Sequence, residues 1–208
     1  MNKTKIEWCD YTWNPITGCK RGCEYCYARR IHERFYKSPF SEIVFHPERL
    51  NDPAKIKKPS TIFVGSMSDI QYWGVSDFDK ILTVCRDNPQ HTFMFLSKNE
   101  GSYCSPYTNW PFNTMQGLTI TSTENKFHEE SILQFLRNTT RPFLSIEPLL
   151  GEVLRCYGLS KMEKIIVGAM TGPSAKPPEK EWIESVLTNV PKEKLFIKEN
   201  VKKYIGKQ

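Results

Sequence analysis

Short apolar runs recur along most of the chain, and the segments between them have apolar residues spaced three and four positions apart. Short runs of this kind are typical of strands buried on both faces of a parallel sheet. The segment 11–15 near the start also looks like a strand. The six clearest predicted strands lie at residues 62–64, 93–96, 118–120, 143–146, 165–167 and 195–197.

Helical spacing fills several of the gaps between these strands. The clearest case covers residues 78–85, where four apolar side chains fall at i, i+3, i+4 and i+7. Ser76 and Asp79 resemble a capping box at its start. Similar spacing predicts helices around 125–138 and 179–188.

The alternation of strands and helices predicts an α/β fold with parallel strands and right-handed crossovers. About six to eight βα units fit the chain, which favours an open or partial (β/α) barrel of mostly parallel strands over a two-sided Rossmann sheet. No internal repeat or clear linker interrupts the pattern, so we expect residues 1–208 to form a single domain. In such folds, the loops after the strand C-termini carry the chemistry.

The composition predicts a soluble, cytoplasmic protein without membrane association. No run of about 18 apolar residues is present, and the first residues lack the apolar stretch of a secretory signal. Seven cysteines are present, three of them within eight positions. In a reducing compartment this favours metal binding or redox chemistry over a disulfide scaffold.

The chain carries a formal net charge of +6, with basic residues near the clustered cysteines and along the C-terminal end. Such an excess suits a polyanionic partner or a phosphorylated substrate. An ordinary solvated surface is the alternative.

Cys19, Cys23 and Cys26 form a C-x3-C-x2-C motif. Three thiolates can hold three irons of a 4Fe-4S cube and leave the fourth iron open for a small ligand. Gly18 and Gly22 allow the loop to turn tightly, because glycine tolerates positive φ. The spacing therefore predicts an iron-sulfur site at which chemistry can occur.

A structural zinc site and chance clustering are the alternatives. Structural zinc usually has four ligands in paired spacings, and here Cys9 or His32 would have to supply the fourth.

The cysteine motif, with the aromatic Tyr25 directly before its last cysteine, resembles the signature of the radical S-adenosylmethionine (SAM) superfamily. Residues 6–27, together with 65–69, 96–98 and 145–151, are similar to an often phage-borne, three-cysteine branch of that superfamily. The later motifs bear a weaker resemblance to the spore photoproduct lyase family, which repairs thymine photoproducts in DNA.

The resemblance implies two cofactors, a 4Fe-4S cluster and SAM. In this superfamily the reduced cluster cleaves SAM to methionine and a 5'-deoxyadenosyl radical, which abstracts a hydrogen atom from the substrate. It also implies an external electron donor such as flavodoxin or ferredoxin. We therefore expect a radical SAM enzyme that modifies or repairs a nucleic acid or nucleotide.

The same resemblance suggests which residues contact the cofactor. Ordinary alternatives are open for three parts of this set: a core aromatic for Tyr25, a turn for the 65–69 segment, and a helix cap for Asn125. The proposed contacts are Tyr25, Ser66, Ser68, Asp69, Thr121, Asn125 and Ser145.

Three further residues are candidates for catalysis. Lys98 and Glu147 lie at predicted strand ends, where they could bind the SAM carboxylate and the ribose or substrate, or form a mutual salt bridge. Cys104 could donate a hydrogen atom to a substrate radical or be a plain loop cysteine.

The nucleic-acid half of this expectation also rests on aromatics that could stack on bases or simply pack in the core. Other substrates, a small metabolite or a protein side chain, stay open. So does a non-catalytic zinc or iron-sulfur module that binds nucleic acid. The aromatics are Trp8, Trp13, Tyr72, Trp73, Tyr103, Tyr107 and Trp110.

Overall fold

The computed structural model describes residues 1–104, 109–123 and 126–206, and the chain forms two compact units. The first unit contains residues 1–97 and 104–115. The second contains residues 98–103 and the chain from 116 onward. The expectation of a single domain over the whole chain stays a prediction.

The first unit is built on a mostly parallel group of strands. Its strands are β1 (Asn2–Lys3), β2 (Tyr11–Trp13), β3 (Ile16–Thr17), β4 (Val44–Phe45), β5 (Thr61–Val64) and β6 (Thr92–Ser97). Strand β2 pairs with β5 and β5 with β6, both in parallel, while β1 adds to β2 antiparallel. The short β3 and β4 form a separate antiparallel pair.

Two helices belong to the first unit, α1 (Tyr27–Phe35) and α2 (Val75–Asp87). The four apolar side chains of α2 are buried, as the spacing predicts. The predicted capping box at Ser76 and Asp79 is wrong: Gly74 is the N-cap, and its carbonyl already accepts a hydrogen bond from the Phe78 N–H at 3.0 Å. Ser76 therefore lies inside the first turn. Short 3-10 turns occupy Pro47–Arg49, Pro53–Lys55 and Ile70–Tyr72.

In the described part of the second unit, four strands are joined in parallel in chain order. They are β7 (Thr114–Ile120), whose first two residues belong to the first unit, β8 (Pro142–Ile146), β9 (Lys164–Val167) and β10 (Leu195–Ile197). The helices are α3 (Lys126–Arg137), α4 (Lys180–Asn189) and α5 (Glu199–Lys202). Short 3-10 turns occupy Glu100–Tyr103, Tyr157–Lys161 and Lys192–Lys194.

Packing in the second unit depends on a close approach between β7 and β8. A Cβ at Gly117 would lie 2.2 Å from the ring of Phe143, so only glycine leaves room for this aromatic. Phe143, Leu144 and Ile165 are fully buried.

All six predicted strands and all three predicted helices are present. Apart from the β3 and β4 pair, the described residues contain eight strands, four in each unit, and these are mostly parallel. No helix in the described part of the chain is long and apolar enough to cross a membrane.

Candidate functional site

The three clustered cysteines lie in the loop between β3 and α1, and all are half-buried. The Cys19 N–H donates to the Phe40 carbonyl at 2.8 Å, and the Cys26 N–H donates to the Cys23 carbonyl at 3.2 Å. Cys26 is the N-cap of α1, since its thiol accepts a hydrogen bond from the Arg29 N–H at 3.3 Å. The start of the helix therefore fixes the last of the three thiols.

Gly18 and Gly22 shape this loop by adopting positive φ, at +94° and +73°. At Gly18 a Cβ would lie 1.8 Å from the carbonyl oxygen of Glu42, so any side chain is excluded. No atom lies within 4 Å of a Cβ built at Gly22.

One cavity of about 440 Å³ brings the three thiols to a common space. Cys19, Cys23 and Cys26 line one side of it, and α1 with the segment 36–41 forms the rest of the wall. Arg29 belongs to this wall and donates a hydrogen bond to the Cys23 carbonyl at 3.0 Å.

The thiols lie in a partly dehydrated setting. Burial raises the pKa of Cys19 to about 11, the charges of Asp69, Cys26 and Cys23 add to the rise, and a backbone hydrogen bond from Arg21 opposes it. Burial, followed by the charge of Cys23, also raises the pKa of Tyr25. Metal binding to such thiols would release their protons.

The segment 65–69, proposed as part of the cofactor site, packs directly against the cysteine loop. The Gly18 N–H donates to the Met67 carbonyl at 3.0 Å, and the Ser68 hydroxyl donates to the Gly18 carbonyl at 2.6 Å. The same hydroxyl accepts a hydrogen bond from the Trp73 indole at 2.9 Å. Ser68 thus joins the two loops.

Asn14 and Tyr27 tie Ser66 into the same arrangement. The Asn14 side-chain oxygen accepts from the Ser66 hydroxyl at 3.1 Å and from the Met67 N–H at 3.0 Å. The Tyr27 hydroxyl donates to the Ser66 carbonyl at 2.7 Å.

Asp69 is buried, with 6% of its surface exposed. Its carboxylate accepts hydrogen bonds from the Ser97 hydroxyl at 2.6 Å and from the Gln71 N–H at 3.2 Å. These bonds fix the orientation of the carboxylate. Its negative charge adds to the rise in the pKa of Cys19.

Four other candidates belong to the second unit. Glu147, directly after β8, forms an ion pair with Lys198, which follows β10. Ser145 is buried within β8, and the carbonyl of the half-buried Thr121 accepts from a backbone N–H at 2.9 Å. Lys98 is half-buried and follows β6.

Asn125 lies outside the described residues, as does Tyr107. Cys104 is half-buried at the end of a 3-10 turn.

Base stacking is wrong for four of the aromatic candidates, because their rings are in the protein core. Trp110 and Tyr72 are only half-buried. The core members are Trp8, Trp13, Trp73 and Tyr103.

Sequence reasoning did not identify Asn14, Arg29 or Lys198 as site residues. Arg29 follows Cys26 by three positions, which is the spacing of a helix N-terminus, so its contact had a local signal. No local sequence signal pointed to Lys198, because its partner Glu147 is 51 residues away in the chain.

Among the described residues, no three His, Cys, Asp or Glu side chains converge on one point that could hold a single metal ion. Cysteine thiolates are donors for zinc and for iron-sulfur clusters alike. Three half-buried thiols lining one cavity fit a cluster held by three cysteines.

Comparison with known proteins gives a fold and a family. No curated protein matches the chain. A solved structure of a spore photoproduct lyase mutant, with bound AdoMet and a dinucleoside spore photoproduct, superposes with a TM-score of 0.56 at 13% identity. The match covers 90% of this chain and 64% of the lyase, so the protein spans slightly under two thirds of the lyase's length.

At this identity the likeness shows the fold alone, and it confirms the predicted fold class. The protein has an α/β fold of mostly parallel strands, consistent with a partial barrel of the radical SAM type.

A family model matches residues 3–197, which is most of the chain. The chain therefore belongs to the family described as "Protein of unknown function (DUF5131)".

Proposed function

We propose that the protein is a radical SAM enzyme in which Cys19, Cys23 and Cys26 hold a 4Fe-4S cluster. The observation that carries this proposal is the single cavity of about 440 Å³ that all three thiols line. The fold shared with an AdoMet-binding lyase supports it. When bound, the cluster and SAM would supply a 5'-deoxyadenosyl radical that takes a hydrogen atom from the substrate.

The first unit's own residues bind and orient these groups in our proposal. The cysteine loop would supply three thiolates to a cluster, so that one iron would have no protein ligand. Tyr25, whose pKa is raised by burial and by the nearby charge of Cys23, packs against the cofactor. The buried Asp69 carboxylate, already oriented by Ser97, attracts the ammonium group of SAM.

The remaining proposed contacts belong to the second unit. Glu147 accepts hydrogen bonds from ribose or substrate hydroxyls, and the ion pair with Lys198 orients its carboxylate. Lys98 would bind a carboxylate. Thr121, Asn125 and Ser145 stay predictions as cofactor contacts, and so does Cys104 as a hydrogen-atom donor.

We further propose a nucleic acid or a nucleotide as the substrate. The net charge of +6 supports this class, and the lyase of the same fold has a dinucleoside photoproduct bound. A reducing cytoplasm would keep the thiols available, and an external donor such as flavodoxin or ferredoxin would supply electrons. Membership of a phage-borne branch stays a prediction.

The test is anaerobic SAM cleavage. The purified protein is reconstituted with iron and sulfide, reduced with dithionite in the presence of SAM, and assayed for 5'-deoxyadenosine with and without DNA oligonucleotides. Cys23→Ala is compared with Cys9→Ala, because both thiols are half-buried but only Cys23 lines the cavity.

The proposal expects 5'-deoxyadenosine from wild type and from Cys9→Ala but none from Cys23→Ala, and an increase when a substrate nucleic acid is added. If the protein instead retains zinc and leaves SAM intact, a metal-binding module without catalysis replaces the proposal.

A further inference from the structure

Helix α1 exposes apolar side chains on one face. Tyr27, Ile31 and Phe35 are spaced four residues apart, and 41%, 42% and 72% of their surfaces are exposed. Residues at this spacing lie on the same side of a helix. Three large apolar side chains in a row on a surface indicate a contact with another molecule, because single exposed apolar residues are ordinary but contiguous ones are not.

The same face is basic. Arg30 and Arg34 lie along one edge of the apolar row, and the Arg34 guanidinium lies 5.8 Å from the centre of the Phe35 ring. The one acidic residue of α1, Glu33, lies on the opposite side of the helix, where it lines the thiol cavity with Arg29. The exposed face therefore has positive charge and no carboxylate from its own helix.

This face begins at the cysteine loop. The thiol of Cys26 caps α1, and nine residues make a helix about 13 Å long at roughly 1.5 Å per residue. Every residue of the face thus lies within about 13 Å of Cys26 along the helix axis. A molecule bound on it would therefore lie close to the Cys26 end of α1, with the helix between it and the thiol cavity.

We propose that this α1 face, defined by Tyr27, Arg30, Ile31, Arg34 and Phe35, is the docking surface for a small acidic electron-transfer protein. The inference rests on the proposed function, since it needs a cluster to reduce. In the step it serves, the bound donor loses one electron and the cluster gains one, with no atom or proton exchanged.

The composition of the face selects this occupant. Aromatic residues and arginine are enriched at protein interfaces, and an acidic rim around an apolar centre would complement both parts of the face. A duplex nucleic acid would pair with the arginines but leave Ile31 and Phe35 without an apolar partner. A second copy would bring two basic faces together, which like charges oppose.

The size of the face also fits an electron donor. One helix of about two and a half turns offers a small contact area, and redox encounters are at the low end of interface sizes, below about 1,200 Å². A short-lived contact suits a donor that must leave after each electron.

The test compares binding of a purified acidic flavodoxin to the reconstituted protein and to an Arg34→Glu/Phe35→Ala variant, by isothermal titration calorimetry at low and high salt. The matched control is Arg137→Glu/Phe112→Ala, which makes the same changes at exposed residues outside the α1 face. A short single-stranded DNA and a DNA duplex are titrated in parallel. Iron content and dithionite-driven SAM cleavage are measured for each protein.

We expect salt-sensitive flavodoxin binding that weakens about tenfold or more in the α1 variant and changes less than about twofold in the control. Absent flavodoxin binding, or equal binding by the two variants, overturns the docking proposal. So does a loss of DNA binding alone, which would assign the face to nucleic acid. Dithionite bypasses the donor, so unchanged SAM cleavage in the α1 variant separates docking from the proposed function, and absent cleavage in wild type contradicts that function instead.

Discussion

Two glycines of the cysteine loop share a positive φ but differ in their surroundings, which makes them a matched pair for mutation. Gly18→Ala requires a Cβ 1.8 Å from the Glu42 carbonyl oxygen, whereas Gly22→Ala meets only open space. We expect Gly22→Ala to lose about 1 kcal/mol of stability from backbone strain and Gly18→Ala roughly 3 kcal/mol, because overpacking adds to that strain.

Urea unfolding of the two variants measures this difference. Equal destabilisation by the two substitutions would contradict the close contact at Gly18.

His46 gives the protein a predicted pH dependence. Its Nε2 lies 2.8 Å from the Thr17 hydroxyl, and its Nδ1 lies 3.3 Å from a carboxylate oxygen of Glu48. Burial and the Arg49 guanidinium lower the pKa of His46, while Glu48 partly opposes them. The folded protein therefore holds fewer protons at this site than the unfolded chain does.

The stability that His46 contributes is therefore fully present above its unfolded pKa of about 6.5. It falls as the pH drops from that value toward the lower pKa of the folded state. Unfolding free energies of wild type and His46→Gln at pH 5 to 8 measure the effect. We expect a shallower pH slope for His46→Gln in this window, and identical slopes would disprove the assignment.

Among the elements, β8 and β10 are linked at their carboxyl ends by the ion pair of Glu147 and Lys198. The Glu147 carboxylate also packs against Gly168, where a Cβ would lie 2.7 Å from it. Only 14% of the Lys198 side chain and 26% of the Glu147 side chain are exposed. Removing the ammonium leaves a largely buried carboxylate without a partner, so Lys198→Met should lose about 1 to 2 kcal/mol.

Lys202→Met is the control for that prediction, because Lys202 pairs at 2.5 Å with Glu199 on the exposed surface of α5. Such a pair contributes at most about 0.5 kcal/mol. Thermal unfolding should rank Lys198→Met well below Lys202→Met in stability. The reverse order would show that the Glu147 contact carries little energy.

The elements that the sequence predicts correctly are those with a buried apolar pattern. Strands β5 to β9 have buried apolar runs, β10 has a half-buried one, and α2 buries one apolar stripe. Helix α1 was missed because it buries only Ala28 and turns its other apolar residues outward, so no inward stripe exists to detect. Strands β3 and β4 were missed because each has two residues and their partners are far apart in the chain, Thr17 with Val44 and Ile16 with Phe45.

At the scale of the whole molecule, too, contacts between residues far apart in the sequence are the part of the site that could not be predicted. The cysteine loop can be identified from the sequence because its three cysteines lie within eight positions. Its contact with Ser68 and the pairing of Glu147 with Lys198 join residues 50 and 51 positions apart, which no local pattern encodes. The fold therefore follows from periodicity, whereas these contacts within each unit depend on which distant segments of the chain pack together.

The central claim is that three cysteines hold a cluster with one iron open to SAM. Electron paramagnetic resonance of the reduced, reconstituted protein, recorded with and without SAM and paired with iron and sulfide analysis, tests it most directly. We predict about four irons and four sulfides per chain, a signal that changes when SAM is added, and loss of both in Cys23→Ser but not in Cys85→Ser, whose thiol is in the core. A wild-type protein that binds zinc in place of iron, or a cluster signal indifferent to SAM, would contradict the claim.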